Sequence, residues 1–252
     1  MIEKGKLIAV VQTRMGSTRL PGKVMKEICG KPMLQLMLER LSKSKLIDEI
    51  VVATTTNPND NVIFDFAKKN GYNVFRGSEF DCLDRHYKTA IEFNASYIAK
   101  ITPDCPLIDP EVIDIVLDYF LKHLKQFDYV SNAHPPSWPD GLDFEVFHFS
   151  TLEKAHKEAT TKEHREHTTT YIWSNPDKFL LGNVLMSNGK KFFKNQRWTV
   201  DFPEDFEFVK KIYENLYKKD RIFFTNEILS FLEKRPDISK INEHLTIHNA
   251  VH

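Results

Sequence analysis

The sequence predicts an α/β protein built on a mostly parallel sheet with helices on both faces. Two observations predict it. Short apolar, β-branched runs recur through the first half, each followed by a stretch with helical apolar spacing. Glycine and proline signals mark the joints between them. With 252 residues, 41% of them apolar, the chain suits one large globular domain better than two. The reading is a single domain over residues 1–252, with a nucleotide-binding half of about residues 1–125 and an acceptor and dimer-forming half of about 126–252.

Residues 7–11 (Leu-Ile-Ala-Val-Val) read as a buried strand, and a loop rich in Gly, Ser, Pro and basic residues follows over 12–32. Residues 33–41 have helical spacing, and 50–54 form a second buried strand. A helix over 59–70 stops at Gly71, and Val74-Phe75 marks a third strand. Residues 80–93 are helical, 97–101 a fourth strand, and Pro110 opens a helix through 121. Such alternation predicts right-handed crossovers and ligands at the carboxyl ends of the strands.

The second half is less regular. Strands are expected at 129–132, 144–147, 179–186 and 197–200. A capping box over Ser150 to Glu153 should open one helix, and others are expected at 163–174, 203–217 and 225–233.

Composition excludes several classes. Lys plus Arg and Asp plus Glu are equal at 35 each, so there is no global pull towards nucleic acid or an anionic membrane. No stretch of about 20 apolar residues suggests a membrane span. The apolar run near the N-terminus is too short for a signal-peptide core. Cys29, Cys82 and Cys105 have no metal-ligand spacing and read as reduced thiols of a cytoplasmic protein.

The loop directly after the first strand carries the strongest chemical signal. Gly16 and Gly22 let the backbone turn and approach a ligand. Exposed N–H groups and the hydroxyls of Ser17 and Thr18 can donate to phosphate oxygens, and Arg14, Arg19 and Lys23 can neutralise a triphosphate. No Gly-Lys-Ser/Thr opens a helix here, so it is not a Walker loop. A solvated basic surface loop is the alternative.

The run Arg14-Met-Gly-Ser-Thr-Arg-Leu-Pro-Gly-Lys23 resembles the signature of the cytidylyltransferases that make CMP-activated sugar acids, the CMP-Kdo synthetases and acylneuraminate cytidylyltransferases. Thr13 stands where those enzymes usually have alanine. The branch named for spore coat polysaccharide biosynthesis protein F is similar over further stretches. These are Phe75-Arg-Gly-Ser78, Asp81-Cys-Leu-Asp-Arg85, Ile101-Thr-Pro-Asp-Cys-Pro-Leu-Ile-Asp-Pro110 and Asp140-Gly-Leu-Asp-Phe-Glu145. The resemblance implies a Rossmann-like nucleotide-diphosphosugar transferase fold, CTP as donor, an acidic sugar as acceptor, pyrophosphate as product, and a homodimer. The resemblance further implies a role in surface polysaccharide biosynthesis, and no nucleic acid partner and no membrane insertion are expected.

The resemblance also places Asp104 and Asp201 at the family's Mg²⁺ ligands. Read alone, Asp104 is better explained as a turn aspartate satisfying its own backbone. Two carboxylates at neighbouring strand ends can, however, hold one Mg²⁺ that keeps waters and phosphate oxygens. Asp205 reads as a first-turn helix residue, and Asp81, Asp84 and Arg85 as an ion-pair set on one helix face. Gln12, Thr54 and Arg76 are assigned to the base pocket, although the threonines fit equally a strand end.

Asp140, Glu145, His164, Arg165 and His167 are assigned to the acceptor. Glu163-His-Arg-Glu-His167 is not a His-Glu-x-x-His zinc motif, and a solvated helix face is its alternative. Arg14, Lys23, Asp104 and Asp201 are the expected catalytic set. The rival readings are a glycosyltransferase using a preformed nucleotide sugar, and a nucleotide-binding subunit without catalysis.

Overall fold

The structure is a computed structural model that describes residues 5–245 except Asn188 and Asp220. Strand β1 (Leu7–Gln12) is buried along almost its whole length, because it lies in the middle of the sheet with helices above and below. A small hairpin, β2 (Glu27–Ile28) with β3 (Lys31–Pro32), precedes α1 (Met33–Leu41). Then come β4 (Glu49–Thr55), α2 (Asn61–Lys69), β5 (Asn73–Gly77), α3 (Cys82–Glu92), β6 (Tyr97–Ile101) and α4 (Pro110–Lys122). The second half contributes β7 (Tyr129–Ser131), β8 (Glu145–His148), α5 (Phe149–Glu158), α6 (Lys162–Glu166), α7 (Thr170–Trp173) and β9 (Leu181–Asn183). The helices α8 (Pro203–Leu216), α9 (Thr225–Lys234) and α10 (Pro236–Ser239) follow.

The main sheet runs β5-β4-β1-β6-β8-β7-β9 among the described residues. β5, β4, β1 and β6 are parallel, with Val10 paired to Val51 on one side and to Lys100 on the other. β8 runs antiparallel between β6 and β7. The strand order reverses direction around β1, and α/β sheets bind ligands at the carboxyl ends of the strands beside such a switch.

Side chains alternate across this sheet. Leu7, Ala9 and Val11 join a core with α1, α4 and α8 on one face, and Ile8 and Val10 join a second core with α3 and α5 on the other. Each fully buried aliphatic side chain of β1 stabilises the fold by about 1.5–3 kcal/mol. The α/β class with helices on both faces is as the sequence predicts.

Three local expectations change. Residues 163–174 are not one helix: α6 and α7 are separated at Thr168, whose φ is 39°, a value that breaks helical hydrogen bonding. The helix expected to open at a Ser150 capping box begins instead at Phe149, with no side-chain cap. Residues 197–200 form no strand. Their single bridge joins Arg197 to Asp140, and their remaining backbone bonds lace two loops together.

Candidate active site

The crevice at the carboxyl ends of β1 and β6 encloses about 510 Å³. One wall is the loop after β1. Its shape comes from its own backbone: Ser17 N–H and Gly22 N–H both donate to Met15 O, at 2.8 and 3.2 Å. Buried Asp60, at the start of α2, accepts from Met15 N–H at 2.7 Å and from the Thr55 hydroxyl, which pins the loop to the next strand. Gly22 has φ 66°, the left-handed conformation that lets the chain turn into the 3₁₀ segment Lys23–Met25. Gly16 has no such role, since an added Cβ would meet nothing closer than 3.8 Å.

The other wall is the loop after β6, carrying Asp104, and behind it the segment 197–201. Val200 N–H donates to Asp104 O at 2.7 Å, and Trp198 N–H to Asp140 O at 2.6 Å. Gly141 makes this lacing possible. A Cβ there would lie 2.6 Å from Thr199 N, and its φ of 104° is itself unfavourable for other residues.

Lys23 is the centre of the site. Its ammonium donates to Val200 O at 2.7 Å and to Asp201 at 3.0 Å, with Asp104 at 3.6 Å. Arg19 reaches Asp201 at 2.8 Å from the solvent side and lies over the Phe202 ring. Burial pushes the Asp201 carboxyl up, but Lys23, Arg19 and Arg197 hold it below the usual carboxylate range. The stabilisation this gives is present above the unfolded carboxylate value of about 3.9 and is lost as pH falls through the lower folded value.

Beneath the floor lies Arg197, with only 2% of its side chain exposed. It pairs with Asp140 at 3.2 Å, Asp201 at 3.2 Å and fully buried Asp205 at 2.9 Å. Asp205 is thus more than a first-turn residue. It also accepts from the N–H groups of Asp201 and Phe202, each at 3.0 Å, and so shapes the turn that presents Asp201.

Asp140 and Asp143 are crowded together nearby. Burial and repulsion from Asp143 push Asp140 up to about 8 against the pull of Arg197. Burial raises Asp143 to about 6.

Among the residues chosen from sequence, Gln12, Arg14, Gly16, Ser17, Arg19, Lys23, Asp104, His167 and Asp201 all line the crevice. Others do not. Arg76 commits its guanidinium to Thr55 O, Asn57 O and Asn61, and lies over Phe64, so it secures the turn after β4. Thr54 is fully buried in that strand.

Arg165 donates twice to Asp81, at 2.6 and 2.8 Å, which fastens α6 to the N-terminus of α3. His164 stands edge-on to Tyr171. Asp81, Asp84 and Arg85 form no ion-pair set on one helix face. Asp81 caps α3, Asp84 pairs with Lys88 and His156, and Arg85 is buried with its donors on Ser78 O and Cys82.

Glu145 stands just behind the crevice, 3.2 Å from Lys100, which does line it. Burial pushes Glu145 up, but Lys100 and Thr169 hold it below its ordinary value. Sequence reasoning passed over Lys100, Glu79, Cys82 and Arg85, all of which line the crevice. A signal for Lys100 existed: a lone lysine inside an otherwise buried strand needs a carboxylate partner.

No group of three or more His, Cys, Asp or Glu side chains that could hold a metal occurs among the described residues. Asp104 and Asp201, whose carboxylates both reach the Lys23 ammonium, are the pair that could hold Mg²⁺, which takes few protein ligands. No helix among the described residues is long and apolar enough to cross a membrane.

Residues 8–231 match the cytidylyltransferase family. The chain is 29% identical over 243 residues to the spore coat polysaccharide biosynthesis protein SpsF of Bacillus subtilis, covering 94% of this chain and 98% of that one. It is 36% identical over 111 residues to a 3-deoxy-manno-octulosonate cytidylyltransferase of Geobacter metallireducens, covering 43% and 42% of the two chains. The solved structure of a cytidylyltransferase from Leptospira borgpetersenii superposes with a TM-score of 0.88 at 34% identity, covering 94% and 97%. With that match spanning both walls of the crevice, the chain belongs to the cytidylyltransferase family and is a CTP-dependent nucleotidyltransferase.

Proposed function

We propose that the protein transfers CMP from CTP to an acidic sugar, with Mg²⁺, and releases pyrophosphate. The observation that carries this reading is Lys23, held between Asp104 and Asp201 at the mouth of a crevice rimmed by Arg14 and Arg19. A hydroxyl oxygen of the acceptor attacks the α-phosphorus of CTP. The new O–P bond forms as the bond to the β-phosphate bridging oxygen breaks and pyrophosphate departs. Lys23 and Arg19 are engaged by Asp201 before the nucleotide arrives, and the triphosphate takes over those donors.

Asp104 and Asp201 would hold Mg²⁺, whose contribution is charge neutralisation at the phosphate oxygens. Positioning and electrostatics supply most of the rate, and no covalent nucleophile is needed. Lys100, which lines the crevice 3.2 Å from Glu145, is a cation that could receive the acidic group of the acceptor. His167 lines the same crevice. The resemblance of the motifs and the Geobacter relative support an acidic sugar, and SpsF supports a role in surface polysaccharide biosynthesis.

The test is nucleotide choice. In Mg²⁺, calorimetry should show CTP binding more tightly than UTP, ATP or GTP, and CTP with acidic sugars should release pyrophosphate. Equal or better binding of another triphosphate would remove cytidylyl transfer from the lead.

A homodimer is part of the same reading. The aromatic, proline-rich segment 135–149 of the half expected to form the dimer has apolar content for a contact, but its apolar residues are largely packed in the chain's own core, Trp138, Leu142, Phe144 and Phe147 among them. The support lies instead at the sheet edge, where β9 is flanked by exposed Leu180 and Leu185. Light scattering at micromolar concentration should give twice the 29.5 kDa chain mass, and a monomer would end the proposal.

A further inference from the structure

The transfer reaction uses no covalent nucleophile, yet the crevice wall contains a thiol surrounded by the groups that activate one. Cys82 is the first residue of the eleven-residue helix α3, where unpaired N–H groups favour negative charge. Its Sγ lies 3.2 Å from Arg85 Nη2, 3.6 Å from His86 Nδ1 and 3.2 Å from the Gln12 carboxamide. His86 Nδ1 is also 2.9 Å from Cys82 O. A carbonyl can only accept, so Nδ1 carries a proton and donates to it. The Gln12 amide can accept from a thiol or, turned over, donate to a thiolate.

We propose that Cys82 is a modification site: a thiolate in the wall of the nucleotide crevice that takes small electrophiles and, once modified, blocks the nucleotide. Burial pushes this thiol up, but His86, Arg85 and Thr168 bring it down to about 6. The other two cysteines go the opposite way. Cys82 and Cys105 are both buried and Cys29 is exposed, but Cys82 alone of the three lines the crevice; Cys29 is raised by burial and Glu214, and Cys105 is raised well above its ordinary value by burial and Asp104. With an alkyl halide, the S–C bond forms as the C–halogen bond breaks and halide leaves. With a peroxide, the S–O bond forms, the O–O bond breaks and hydroxide leaves, the sulfur being oxidised by two electrons to the sulfenic level. Either group added at Sγ intrudes between Gln12 and Arg85, both of which line the crevice.

The blocking consequence rests on the nucleotide reading of the crevice; the activation of the thiol does not. The experiment is limiting iodoacetamide on the full chain at neutral pH, with peptide mass spectrometry following Cys29, Cys82 and Cys105 separately. In the folded protein Cys82 should label about tenfold faster than exposed Cys29, with Cys105 slower still, and the three rates should converge in urea. CTP with Mg²⁺ should slow labelling at Cys82 alone. Protein labelled only at Cys82 should bind CTP at least about tenfold more weakly in calorimetry. Labelling of Cys82 slower than of Cys29 would overturn the proposal, as would labelled protein that binds CTP like the parent. Fast labelling that CTP with Mg²⁺ does not slow would overturn the blocking, because the nucleotide would then not cover Cys82.

Discussion

Arg197→Met is expected to destabilise the folded protein by about 3–5 kcal/mol, the typical cost of removing one partner from a buried ion cluster. Methionine fills much of the same volume, so a cavity is not the main effect. The loss arises because Asp140, Asp201 and Asp205 all direct carboxylate oxygens at this one guanidinium, and Asp205 is fully buried. Asn242 still donates to Asp205 at 2.9 Å, but an amide brings no charge. Arg197→Lys keeps the charge and loses the fork, so its cost should be smaller, about 1.5–3 kcal/mol. Urea unfolding checks both, as a lower midpoint at unchanged slope. A loss under about 1 kcal/mol for Arg197→Met, the scale of a surface pair, would mean that water reaches these carboxylates and that Arg197 is not their counter-ion.

That cluster also shows where the sequence stops being readable. The strands of the first half were legible because buried parallel strands are continuous apolar runs, and β1 and β4 are such runs. That the loop after β1 would form a wall of the crevice was legible because glycine and basic residues are dense there. Arg197 was not. Its three carboxylates lie 57, 4 and 8 positions away, and no period or motif connects them.

Residues 197–200 alternate like a strand, yet their hydrogen bonds go to loop carbonyls at Asp104 and Asp140. An approach of that kind depends on Gly141 in another part of the chain. Arg76 and Arg165 illustrate the converse error. An arginine near a predicted site reads as a ligand contact, but five donors on one side chain are as readily used to close turns and tie helices. His167 and Arg165 sit two residues apart, so on the turn of helix that carries them they point to opposite sides, and one lines the crevice while the other ties α6 to Asp81.

Asp201→Asn is expected to lower turnover by about 100-fold or more while changing CTP affinity in Mg²⁺ by little, since the lost charge matters most where charge reorganises. The arrangement around Asp201 sharpens this. Its carboxylate engages Lys23 at 3.0 Å and Arg19 at 2.8 Å, the same donors that a triphosphate needs. Asparagine releases both, so with EDTA the variant should bind CTP more tightly than the parent. That sign change separates a metal-binding charge from a simple phosphate contact. Lys23→Ala should behave in the opposite way, weakening CTP binding by roughly 10- to 150-fold with or without metal, the equivalent of one charged hydrogen bond. Excess Mg²⁺ should partly restore Asp201→Asn and hardly affect Lys23→Ala. Both variants should fold, because Arg197 keeps Asp140 and Asp205 when Asp201 is neutral, and because Lys23 lies at the crevice and not in either apolar core. Full turnover by folded Asp201→Asn at limiting Mg²⁺ would exclude the two-aspartate site and leave Asp104 as the metal's one carboxylate. Weaker CTP binding by the variant in EDTA would show instead that Asp201 orders Lys23 and Arg19 for the triphosphate and does not compete with it.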